Sequence, residues 1–66
     1  MATYSITIVF EDDTTKEFVI NGTEAAYEVF EKACYLAAVT NSKKVEMWAA
    51  EDADGSKWEQ LEEEYF

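Results

Sequence analysis

Histidine, arginine and proline are all missing from this 66-residue sequence, and cysteine occurs once. Each absence removes a class of chemistry. Without histidine no Ser-His-Asp or Cys-His nucleophile can be assembled. One cysteine and no histidine leave a zinc site without the Cys and His ligands on which such sites are built. Cys34 alone cannot close an internal disulfide, so nothing points to an oxidising compartment. Two glycines form neither a GxGxxG turn nor a phosphate-cradling loop. No apolar stretch approaches the ~20 residues that span a bilayer, and no cationic segment leads into an apolar run. The expectation is a cytoplasmic protein with no cofactor, no metal and no membrane contact.

What is present is acid. Fifteen Asp and Glu stand against five lysines, for a formal net charge of -10. Such a surface repels nucleic acid and anionic membranes and attracts basic surfaces. High charge can signal disorder, but disordered chains lack aromatic and β-branched residues. Here four Phe, four Tyr and two Trp are available, each able to bury roughly 150–250 Å². Residues 1–66 are therefore read as a single folded domain. A domain of this size has little room for a substrate cleft beside its core. Paired carboxylates would need such a cleft to separate their pKa values, so no enzyme activity is expected.

Side-chain periodicity gives the elements. Thr3 to Phe10 alternates, with Tyr4, Ile6, Ile8 and Phe10 on one side, as a half-buried strand does. Glu11-Asp12-Asp13-Thr14 reads as a polar turn. Lys16 to Ile20 alternates again, Phe18 and Ile20 opposing Glu17 and Val19, which makes a hairpin. From Glu24 to about Val39 the period becomes 3.6: Ala26, Phe30, Ala33 and Ala37 share one face, and Glu24, Glu28, Glu31, Lys32 and Tyr35 the other. Thr23 is a candidate N-cap, with an Asn21/Glu24 capping box as the alternative. Thr40-Asn41-Ser42 ends the helix. Val45 to Ala50 is a third strand, with Val45, Met47 and Ala49 opposing Glu46, Trp48 and Ala50. Glu51 to Ser56 reads as a turn around Gly55, and Lys57 to Leu61 as a fourth strand. Trp58, Leu61 and Tyr65 also stand at i, i+3 and i+7, which leaves a short terminal helix open.

The class is α+β, one helix packed on a small sheet in the order ββαββ. This order resembles the β-grasp arrangement of bacterial immunoglobulin-binding domains. No binding motif is shared residue by residue, so the resemblance implies a fold and no function.

Candidate sites follow from chemistry and position. Cys34 lies mid-helix beside the apolar face and is expected to be a small core residue. Asp52-x-Asp54-Gly55 resembles part of a calcium loop, but the register places Ala50 and Leu61 where essential ligands belong. The carboxylates cluster: Glu11, Asp12, Asp13 and Glu17 at the first hairpin; Glu24, Glu28 and Glu31 along the helix; Glu51, Asp52 and Asp54 at the second turn; Glu59 and Glu62 to Glu64 at the C-terminus. Solubility needs a net charge magnitude of only about 2–8 in a small domain. A helix built for its own stability would place lysine four residues after each glutamate. Glu28 has Lys32 there, but Glu24 has Glu28 and Glu31 has Tyr35. The helix carboxylates advance by about 6 Å and then about 4.5 Å, broadly the scale on which phosphates recur.

Aromatics supply a second signal. Trp48 lies opposite the apolar set of its strand and Tyr35 on the polar side of the helix, positions suited to anchoring a partner. Trp58 is expected to join the core. The partner-binding candidates are therefore Glu11, Asp12, Asp13, Glu17, Glu24, Glu28, Glu31, Tyr35, Trp48, Glu51, Asp52 and Asp54. In size and acidity the chain resembles phage-encoded anti-restriction and anti-CRISPR proteins. That resemblance implies an inhibitor that occupies the basic surface of a nucleic-acid-binding protein and does not bind nucleic acid itself. The alternative is a protein-interaction module that uses a sheet edge or its exposed aromatics.

Overall fold

The computed structural model describes residues 2–50 and 58–66. Strands β1 (Thr3–Val9) and β2 (Thr15–Asn21) precede helix α1 (Thr23–Val39), and strands β3 (Lys44–Ala50) and β4 (Trp58–Tyr65) follow it. The four strands form one antiparallel sheet in the order β2-β1-β3-β4. The expected order ββαββ is found along the chain, but the β-grasp likeness ends there, because β1 and β4 are not neighbours and every pairing is antiparallel. Within the sheet, the inner partner of β1 is β3.

Alternation on β1 and β3 builds the core. Tyr4, Ile6 and Ile8 on β1 stand opposite Ala49, Met47 and Val45 on β3. Ala26, Ala33 and Ala37 of α1 come down upon them. Ile6, Ile8, Val45 and Met47 are wholly excluded from solvent. Small residues on the helix and large ones on the sheet let the two layers approach closely. Phe18, Ile20, Val29, Phe30 and Cys34 close the margins. Cys34 is half-buried and not a full core residue, because it stands at the margin of the stripe formed by Ala26, Ala33 and Ala37 and not on it.

Both helix ends are specific. Gly22 is the N-cap at φ 100, with no side-chain cap. This corrects both expected caps: Thr23 lies inside the helix and hydrogen-bonds the Tyr4 hydroxyl at 2.7 Å. Asn21 is diverted as well, its Oδ1 accepting from Thr3 Oγ1. Only glycine takes such a positive φ without steric cost. At the other end Asn41 adopts φ 57, and the Ser42 N–H donates to the Ala37 carbonyl. That is a Schellman closure with asparagine in place of glycine.

The chain ends in a strand, which overturns the helical alternative for the tail. Met47 pairs with Glu62 but the next residue, Trp48, pairs with Gln60, so Leu61 is an extra residue in the ladder. A bulge of this kind reverses the alternation of faces. Gln60, Glu63 and Tyr65 therefore join Trp58 on one face, and Glu59, Glu62 and Glu64 take the other. The bulge at Leu61 is what brings Trp58 and Tyr65, spaced as in a helix, onto one face of a strand. α1 crosses β1, β3 and β2, and every residue of β4 is exposed.

Candidate functional site

The sheet face turned away from α1 carries no covering layer among the described residues. Strand parity places Ser5 and Thr7 of β1 there, with Glu17 and Val19 of β2, Lys44, Glu46 and Trp48 of β3, and Trp58, Glu63 and Tyr65 of β4. Ser5 is nevertheless buried. It lies between Trp48 on one neighbouring strand and Val19 on the other, and its hydroxyl donates to Glu17 Oε2 at 2.6 Å. Beside this bond is a depression of about 210 Å³ lined by Ser5, Thr7, Glu17, Trp48 and Trp58. Trp58 is 41% exposed. Its expected place in the core is thereby corrected: pairing with Ala50 aims it at the open face.

Further along the same face the lysine charge is consumed internally. Lys44 Nζ lies 3.0 Å from Glu46 and 3.2 Å from Glu63, and 5.4 Å from the centre of the Tyr65 ring. Hydrogen bonds to Glu46 and Glu63 push the Lys44 ammonium well above its ordinary value. The bond from Lys44 holds the Glu63 carboxyl below its own. Lys43, on the other side of the chain, pairs with Asp13 at the hairpin turn. That bond raises the Lys43 pKa. Asp13 is set for it by a left-handed φ of 69, while Asp12 caps the turn by accepting from both the N–H and the hydroxyl of Thr14. The Thr14 hydroxyl bond lowers the Asp12 pKa, helped by the backbone bond from the same residue.

The helix carries the second acidic surface. Glu24, Glu28, Glu31 and Tyr35 are exposed on its outer side, Tyr35 at 73%. The ion pairs of the described residues all use Lys43 or Lys44. The spacing of Glu28 and Lys32 does not close into a pair, and the row Glu24, Glu28, Glu31 has no ion-pair partner among the described residues.

The candidate residues named from the sequence thus separate into three places. Glu17 and Trp48 lie on the open sheet face, Glu24, Glu28, Glu31 and Tyr35 on the opposite side of the domain, and Glu11, Asp12 and Asp13 at the hairpin end. Glu51, Asp52 and Asp54, with the turn and the calcium-like fragment, lie outside the described residues. Sequence reasoning missed Ser5, Thr7 and Trp58 as companions of Trp48. Parity along β1 carried Ser5 and Thr7, whereas Trp58 depended on the pairing register with β3.

Nucleophilic chemistry finds no support at Cys34. Burial raises its thiol pKa, and Glu64 and Glu31 add to the rise by repelling the thiolate. An activated cysteine needs the opposite environment. A second, apolar hollow of about 200 Å³ lies between α1 and β2, lined by Ile8, Phe18, Val29, Lys32, Ala33 and Leu36. No group of three or more metal-ligating side chains occurs among the described residues. No helix there is long and apolar enough to cross a membrane. Comparison with protein-family models, with curated proteins and with solved structures finds no match for this chain.

Proposed function

We propose that this chain is a non-enzymatic acidic protein that binds the basic, nucleic-acid-binding surface of a partner protein and blocks it. It would act in the manner of the small acidic phage inhibitors of restriction and CRISPR systems. The observation that carries the reading is the exposed row Glu24, Glu28 and Glu31, which has no ion-pair partner among the described residues. Internal pairing draws on Lys43 and Lys44 and leaves the helix carboxylates to solvent. A further line, Glu59, Glu62 and Glu64, follows the helix-side face of β4. Carboxylates arrayed in rows meet the lysines and arginines of a phosphate-binding channel through charge-assisted bonds. The free protein accepts the repulsion, and the partner relieves it.

The test is affinity capture of partners at low and high salt, followed by elution with DNA or RNA. The expected result is recovery of nucleic-acid-binding proteins that nucleic acid displaces. Retention should weaken steeply as the screening length falls to about 8 Å at physiological ionic strength. Replacing Glu24, Glu28 and Glu31 together with Gln should abolish it. A neutral partner held equally at all salt concentrations overturns the reading.

A second reading rests on Trp58 and Tyr65, which share the open sheet face. On that reading the chain is an interaction module whose affinity comes from aromatics or from the β4 edge, with charge tuning only association speed. Tyr65→Ala, at an exposed position outside the Trp48–Trp58 depression, then weakens binding more than Glu28→Lys, whereas the phosphate-imitating reading gives the reverse order.

A further inference from the structure

The depression on the open sheet face combines three features. It has an aromatic wall, Trp48 with Trp58. It has a carboxylate, Glu17, whose Oε2 is held by Ser5 at 2.6 Å and whose Oε1 accepts no hydrogen bond among the described residues. It has the hydroxyl residue Thr7 beside them. We infer that this depression is a receptor for one arginine side chain of the protein partner: the guanidinium stacks on the indoles and donates to Glu17. The inference rests on the proposed acidic-partner reading and gives it a specific contact.

Charge and shape select the occupant. The planar guanidinium stacks on an aromatic face and keeps its in-plane donors for a carboxylate, which a lysine ammonium cannot do at once. A volume of about 210 Å³ suits one side-chain head group and not a folded segment. An open sheet with exposed aromatics is also the form of a base-stacking platform. The net charge of -10 and the carboxylate in the depression both oppose a phosphate-bearing strand. The Ser5–Glu17 bond holds the carboxylate in place before binding, which reduces the ordering cost on association. Lys44 does not compete for Glu17, because Glu46 and Glu63 engage it.

The experiment is a two-dimensional NMR titration of the full chain with three capped tripeptides of the form Gly-X-Gly, where X is arginine, lysine or citrulline. With arginine, the indole N–H signals of Trp48 and Trp58 and the Ser5 amide should shift together. Lysine, of equal charge but unable to stack flat, should bind about fivefold more weakly. Citrulline, the neutral isostere, should bind at least about tenfold more weakly. Glu17→Gln keeps an acceptor for Ser5 and so preserves the fold, which a dispersed spectrum checks; it should weaken arginine binding about tenfold. Trp58→Ala, at an exposed position, should do likewise. Equal binding of arginine and lysine, shifts confined to the helix glutamates, or stronger shifts with a short single-stranded RNA would each overturn the inference. The titration uses no partner protein, so its failure leaves the salt-dependent capture experiment standing, and the reverse also holds.

Discussion

Trp58 and Tyr65 stand on the same face of β4 although they are seven positions apart. In an unbroken strand an odd separation puts two side chains on opposite faces. Leu61 is the residue that changes the count, since Met47 pairs with Glu62 and Trp48 with Gln60. One inserted residue sorts the tail into an aromatic face and a carboxylate face. Deleting Leu61 makes the separation even and the ladder regular, so the deletion variant should keep Tyr65 beside Lys44. It should lose about 1 kcal/mol from the missing apolar contact. Cross-relaxation between the Tyr65 ring and the Lys44 side chain checks this. Transfer of Tyr65 to the helix side would show that something other than the bulge sets the register.

Exclusion from solvent is concentrated in a few sheet residues, which makes the domain sensitive at those points. Ile6 is wholly buried on a central strand. Ile6→Ala should cost about 2–5 kcal/mol, a large part of the stability of a domain this small. Val19, 63% exposed on the open face, should change stability by less than about 0.5 kcal/mol when replaced by Ala. Urea midpoints of the two variants make the comparison. Similar losses at both sites would mean that the open face is covered, for example by a second copy of the chain.

The sequence displayed the inward face of β1, β2 and β3 clearly, because each strand alternates without interruption from Tyr4, Phe18 or Val45. The helix was equally plain, since its alanine stripe and its glutamate stripe agree. Three features were hidden for physical reasons. The N-cap escaped because Gly22 acts through backbone freedom and not through a side-chain bond, while Thr23 was drawn off by Tyr4. The tail was ambiguous because a bulged strand and a helix both place Trp58 and Tyr65 on one side. The grouping of Ser5, Glu17, Trp48 and Trp58 depends on cross-strand register across four strands, which local periodicity does not encode.

Gly22 offers a direct test of the helix start. At φ 100 a Cβ meets the backbone, so Gly22→Ala should destabilise by about 1–2 kcal/mol. Tyr4→Phe, which removes the bond to Thr23, should cost about 0.5–1.5 kcal/mol. Both are read by thermal unfolding. If Gly22→Ala were neutral, the turn into α1 would have to relax to a negative φ, and the hydrogen bond from the Gly22 N–H to the Ala2 carbonyl should then be lost in amide exchange.

The Lys44 cluster gives the domain a defined pH response. Bonding to Lys44 holds the Glu63 carboxyl below its ordinary 4.5. A carboxyl depressed in the folded state binds fewer protons there than in the unfolded chain, so its contribution is full above 4.5 and is lost as pH falls through the folded value. The Lys44 ammonium is raised above its ordinary 10.5 by Glu46 and Glu63, so its contribution is full below 10.5 and is lost as pH rises through the folded value. Between these limits the cluster contributes evenly. Acidification also relieves the repulsion of a chain at -10, which acts in the opposite sense. Subtracting the stability of Lys44→Met from that of the wild type largely cancels the shared repulsion and isolates the cluster. The difference, followed by urea unfolding across pH, should be flat near neutrality and shrink at both extremes. A difference that grows below 4.5 would mean that Glu63 gains nothing from Lys44, and that the tail is held against β3 by its backbone ladder alone.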